Sequence, residues 1–179
     1  MSKILAFITL AALAAAPASA LPAAKYTLVK SIPIGAPDRW DYVVLDPAAA
    51  RAYVAHSDVV TVVDVAAGKV AGTLQVGGAT HGIAIAPALN KGYADDGKSG
   101  TVMVFDTKTL KSLGRIKAEP DADGIVYDSQ SGHVLVITGD TGKVVVIDPK
   151  TDKVVAEIDG GGPLEFGVLD GHGKFYVDR

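Results

Sequence analysis

Val62-Val63-Asp64-Val65 is the stretch that decides the fold, because it recurs. Val104-Phe105-Asp106-Thr107 follows 42 residues later, and Val146-Ile147-Asp148-Pro149 another 42 after that. Each copy is an apolar run ending in Asp, then a short polar turn, then a lysine: Lys69, Lys111 and Lys153, again 42 apart. The runs are rich in Val, Ile, Thr and Phe, which suit a half-buried pleated surface. The turns hold Gly, Asp, Asn, Pro and Ser. No helical periodicity appears after residue 20. A fixed period near 40 residues made only of strands and turns predicts a repeat architecture of the β-propeller type. A β-sandwich would explain the strands but not the constant register.

Each repeat reads as four strands. In the first, residues 41–45 are an inner strand, apolar because both faces are covered. Residues 51–55 are the second strand, 59–65 the third and 69–77 the fourth. The blades are expected at residues 41–77, 81–118 and 123–160, with a partial fourth at 165–179. Residues 25–35 (KYTLVKSIPIG) resemble the fourth strand of each repeat and are expected to form a stray outer strand. The fold class is therefore all-β, a propeller of four-stranded antiparallel blades. About three and a half blades are present of about seven. The chain reads as part of a longer propeller, with two copies pairing to complete a ring as the alternative.

The first twenty residues read as a signal peptide. Lys3 is a short positive region, residues 4–16 are apolar, and Ala18-Ser19-Ala20 is a small-residue cleavage site. This predicts an exported protein, periplasmic or secreted, starting at Leu21. The chain has no cysteine, which removes both disulfides and a lipid-modified N-terminal Cys. No later run of 18 apolar residues exists, so no membrane span is expected once the signal is removed. Lys and Arg number 17 against 20 Asp and Glu, a formal net charge of −3. That balance disfavours unspecific nucleic-acid binding, which depends on neutralising phosphates.

The repeats resemble the YVTN-repeat β-propeller family. The resemblance lies in the second strands: Tyr53-Val54-Ala55-His56, Tyr93-Ala94-Asp95-Asp96, Leu135-Val136-Ile137-Thr138 and Tyr176-Val177-Asp178-Arg179. The third-strand pattern followed by T-x-K-V, as in residues 144–154, belongs to it too. It covers residue 25 to the end and implies an exported, seven-bladed type of propeller. The WD40 pattern fits less well, since Trp40-Asp41 opens an inner strand instead of ending one.

In a propeller the loops leading into the inner strands and those after the second strands share one face, around the channel. Register aligns Asp41, His81, Asp123 and Glu165 at the mouth. A second ring comprises His56, Asp96, Thr138 and Arg179. With Arg39 and Trp40 beside the first inner strand, the candidate ligand-binding rim is Arg39, Trp40, Asp41, His56, His81, Asp96, Asp123 and Glu165. Such rim loops, different in every blade, suit a scaffold for a small molecule or protein. No residue is assigned a catalytic role. Asp41, His81, Asp123 and Glu165 together could ligate a divalent metal ion, which would allow lactonase-like hydrolysis by analogy of fold. Arg39, Trp40 and Arg179 could form a stacking platform for single-stranded nucleic acid. Asp64, Asp106 and Asp148 are expected to stabilise the following turns. His133 aligns with Arg51, Lys91 and Lys174 and is expected to be a solvated strand start.

Overall fold

The structure is a computed structural model that describes residues 25–36 and 38–179. The expected signal peptide falls on residues 1–20, outside the described residues. Fourteen strands are described. β1 (Trp40–Asp46), β2 (Arg51–His56), β3 (Val59–Asp64) and β4 (Lys69–Gln75) form the first sheet, antiparallel and in chain order. β5 (Ile83–Ala86), β6 (Lys91–Asp96), β7 (Thr101–Asp106) and β8 (Ser112–Lys117) repeat it. β9 (Ala122–Asp128), β10 (His133–Thr138), β11 (Lys143–Asp148) and β12 (Lys153–Asp159) do so again. β13 (Gly167–Leu169) pairs with β14 (Phe175–Val177) as the start of a fourth.

The repeat in sequence is a repeat in register. Tyr53 faces Val62, Tyr93 faces Val104 and Leu135 faces Val146. In each full blade the third and fourth strands slip at one place, at Val62/Val63, Val104/Phe105 and Val146/Ile147. A bulge there bends the outer strand and deepens the twist. The repeated aspartates then close the turns as expected. Asp106 accepts from the N–H groups of Lys108 (2.9 Å) and Thr109 (2.7 Å). Asp64 accepts from Ala67 (2.7 Å), and Asp148 from Lys150 (2.9 Å). These bonds hold the carboxyls of Asp106 and Asp148 below the ordinary carboxylate range.

Successive residues of a strand face opposite sides, so each middle strand serves two interfaces. Val62 and Tyr53 pack with Ile83, Met103 and Phe105 between the first two sheets. Val102 and Val104, the neighbours of Met103, pack with Ile125, Val136 and Ile147 between the second and third. Leu135, Ile137 and Val144 pack with Leu164, Phe175 and Val177 between the third and fourth. This explains why the inner runs are apolar without alternation. The outer strand β12 is exposed along its whole length.

One expectation is corrected. Residues 25–35 form no strand, and Tyr26, Leu28 and Val29 are exposed. An outer strand needs a third strand to pair with, and the fourth sheet has only two strands among the described residues. Arg51 and Lys91, on whose alignment the solvated reading of His133 rests, are themselves half-buried and bonded. Arg51 donates to the carbonyl of Thr107, and Lys91 donates to the carbonyl of Pro149 (2.9 Å). Thr107 and Pro149 each follow a repeat aspartate, so each cation reaches the same turn of the next blade. Lys91 also pairs with Asp152 at 2.6 Å, and the Tyr93 hydroxyl donates to that carboxylate at 2.9 Å.

Candidate binding site at the channel mouth

The innermost strands β1, β5, β9 and β13 line one cavity of about 360 Å³. Its walls include Tyr42, Val44, Ile83, Ile125, Tyr127 and Phe166. Asp41, His81 and Glu165 each immediately precede a wall residue, and Asp123 stands two before Ile125. The set aligned by register thus adjoins the cavity walls along the chain.

Three of its four residues meet. The Nδ1 atom of His81 lies 2.9 Å from Asp41 and 3.3 Å from Asp123, so three blades converge on one imidazole. Asp123 pays for its place in protonation behaviour: burial, opposed by His81 but reinforced by Glu165, Asp121 and Asp41, pushes its carboxyl up to about 6. Glu165 is exposed and reaches the group through its charge.

The backbone under His81 is held by a residue the sequence reading did not single out. Asp95 is fully buried and accepts from the N–H groups of His81 (2.7 Å) and Gly82 (2.8 Å). Burial raises its carboxyl well above the ordinary range, and the two N–H groups oppose that rise. The His81 carbonyl in turn accepts from the N–H of Tyr42 (3.1 Å), which joins the first blade to the second. Asp178 repeats the device in the fourth sheet, accepting from the N–H of Phe166 at 2.7 Å. The two aspartates align in the second-strand tetrapeptides, where Ala55 and Ile137 stand in the other blades. That contrast of an acid with an apolar residue at one register position was the available signal.

Three of the four residues of the second predicted ring are buried, and Arg179 is exposed. His56 is buried, with Nε2 2.7 Å from the Thr61 hydroxyl. Trp40 stacks on its ring at 5.2 Å. Asp96 is buried and accepts from Gly78 (3.1 Å), Ser99 (3.2 Å) and Arg115 (3.1 Å). Thr138 is buried and bonds within its own turn. These positions end strands that are covered on both faces, so their polar groups are used up in the turns. Arg39 is exposed, and its carbonyl accepts from Ser57 at 3.0 Å. Trp40 is 55% exposed, and its stacking partner is in its own blade.

Among the described residues no three His, Cys, Asp or Glu side chains are placed to hold an ion. Asp41 and Asp123 both contact Nδ1 of His81.

Comparison with known proteins bears on the fold. No family model matches the chain, and no curated protein matches it. Solved structures do match. Kuenenia stuttgartiensis hydrazine synthase superposes with a TM-score of 0.66 at 19% identity, over 76% of this chain and 44% of that chain. The WD40 repeats of RRP9 give 0.67 at 13% identity, over 74% and 42%. U3-55K gives 0.67 at 12% identity, over 74% and 43%. The chain spans less than half the length of each. At these identities the likeness concerns fold alone, and it agrees with a propeller of four-stranded antiparallel blades.

Proposed function

We propose that the protein is a non-catalytic binding scaffold that takes its ligand at the channel mouth. The observation that carries this reading is the convergence of Asp41, His81 and Asp123 from three blades above one apolar cavity. A binding surface needs side chains of different chemistry held on a rigid frame. Here Asp95 and the strand ladders supply the frame. The resemblance of the tetrapeptides to YVTN repeats supports an exported propeller of that type, as does the signal-like start. The hydrolytic alternative relies on a metal ion at the rim, held by Asp41, His81, Asp123 and Glu165. The acidic mouth opposes a nucleic-acid strand.

The test is a thermal-shift screen of small molecules against three proteins. They are the wild type, Asp41→Asn/Asp123→Asn, and Lys108→Ala, whose exposed side chain lies in the turn after β7. Compounds that stabilise the wild type and Lys108→Ala but not the double variant support the mouth. Compounds that stabilise all three equally overturn it. For export, mass spectrometry of the secreted or periplasmic protein should show Leu21 as the first residue. An intact Met1 in that fraction refutes the cleavage.

A further inference from the structure

The cavity and its mouth differ in chemistry, and the difference specifies a ligand. The wall carries three aromatic rings, Tyr42, Tyr127 and Phe166, among Val, Leu and Ile side chains. Tyr42 from the first blade and Phe166 from the fourth stack with centroids 4.9 Å apart and planes 25° apart. Tyr42 lies in β1, Phe166 immediately precedes β13, and both rings line the cavity. Carboxylates stand around it. Burial, then Asp41, Asp123, Glu165 and Asp178, push the Tyr42 phenol above its ordinary value. Those four acids belong to three blades, and all of them act on one ring. The potential where the cavity opens is therefore negative.

Two basic groups, His81 and Arg179, stand against these four carboxylates and offset them only in part. His81 has its Nδ1 between Asp41 and Asp123. Arg179 lies against Gly161 and Gly162, in the neighbouring groove that Glu165 and Asp178 also line. An aromatic face attracts a cation through its ring quadrupole, and more strongly where water is excluded. Apolar walls disfavour a small hydrated ion, which would lose its water without replacement ligands. They favour a cation that carries its own hydrocarbon.

We propose that the channel cavity binds an organic ammonium ion, a quaternary or protonated amine with an apolar portion. The positive group sits among Asp41, Asp123 and Glu165 against Tyr42 and Phe166, and the apolar portion fills the cavity. The volume of about 360 Å³ is at the small end of ligand pockets and admits a molecule of choline's size or somewhat larger. The proposal rests on the mouth being the binding face and adds the chemistry of the ligand.

The experiment is calorimetric titration with choline and with 3,3-dimethylbutan-1-ol, which has nearly the same shape and no charge. Choline should bind at least about tenfold more tightly, and its affinity should fall as salt is added. Tyr42→Leu and Asp123→Asn should each weaken choline about tenfold while leaving the alcohol within about twofold. Glu165→Gln provides a second charge variant at an exposed residue, should either of the others fold poorly, with about a threefold loss expected. Equal binding of alcohol and choline overturns the proposal, and so does no binding of choline. If choline fails while neutral or anionic compounds still depend on Asp41 and Asp123 in the screen, the ammonium assignment falls and the mouth reading stands. If choline binds equally well to every variant, both fall.

Discussion

Asp95 shows how much a single buried acid can organise. Its two oxygens take the N–H groups of His81 and Gly82. Replacing it with Ala leaves two amides without their acceptor in a covered place. Asp95→Ala should lower stability by about 2–4 kcal/mol in urea unfolding, because an unpaired buried amide costs its full desolvation. Asp95→Asn should cost less, since one acceptor oxygen survives. A loss below about 0.5 kcal/mol for Asp95→Ala would show that the loop is held by something else. Asp123 gives a pH signature of opposite sense. Its folded-state value of about 6 lies above the unfolded value near 3.8, so protonation favours the folded state. That contribution is complete below the unfolded value and is lost as pH rises through about 6. Asp123→Asn should therefore be more stable than wild type by about 1–2 kcal/mol at pH 7 and no more stable at pH 4. Equal gains at both pH values would refute the burial account. At this scale the sequence showed the rim trio through register alone. It did not show Asp95, because an acid inside an apolar tetrapeptide reads as one more degenerate repeat position.

The strands explain why the blades fit together. Gly92 in β6 lies directly across from Phe105 in β7, and a Cβ on Gly92 would run into that ring. The equivalent pairs are Ala52 with Val63 and Val134 with Ile147. Small faces large where the ring is largest, so the pair keeps a workable volume. Gly92→Val should displace Phe105 from the first interface and cost at least about 2 kcal/mol. Amide exchange should rise first in β6 and β7. A compensating Phe105→Ala should recover part of the loss, and failure to do so would place the strain elsewhere. The segment 25–35 makes the converse point. Its residues match an outer strand in pattern, yet a strand exists only where a partner offers N–H and C=O groups. Arg51 and Lys91 belong here too, since their role depends on a carbonyl of the next blade.

The molecule as a whole is held by three apolar interfaces in series. Each joins neighbouring blades, as in other repeat proteins where stability is a sum of nearest-neighbour terms. Ile137 is fully buried in the third interface. Ile137→Ala should cost about 2–4 kcal/mol. In hydrogen exchange, β9–β14 should lose protection while β2 and β3 keep most of theirs. Uniform loss across all blades would mean that the molecule opens only as one unit. The Tyr42–Phe166 stack and the Tyr42–His81 bond are the links at the centre of this series, and both sit at the candidate mouth.

By itself the sequence determined the blade. The 42-residue period, the turn aspartates and the apolar third strands are local instructions, and backbone pairing follows from them. It also put Asp41, His81 and Asp123 at one register position, because register is a property of order along the chain. Only the tertiary structure decided what those positions do. Asp41, His81 and Asp123 are about 40 residues apart in sequence, and whether they meet depends on how neighbouring blades are rotated and packed. The same packing buries His56 and Asp96, turns Arg51 and Lys91 into links between blades, and brings Tyr42 onto Phe166. Burial, the meeting of Asp41, His81 and Asp123 and the volume of the cavity are collective quantities. No window of the sequence contains them, because they arise only when separate blades share one axis.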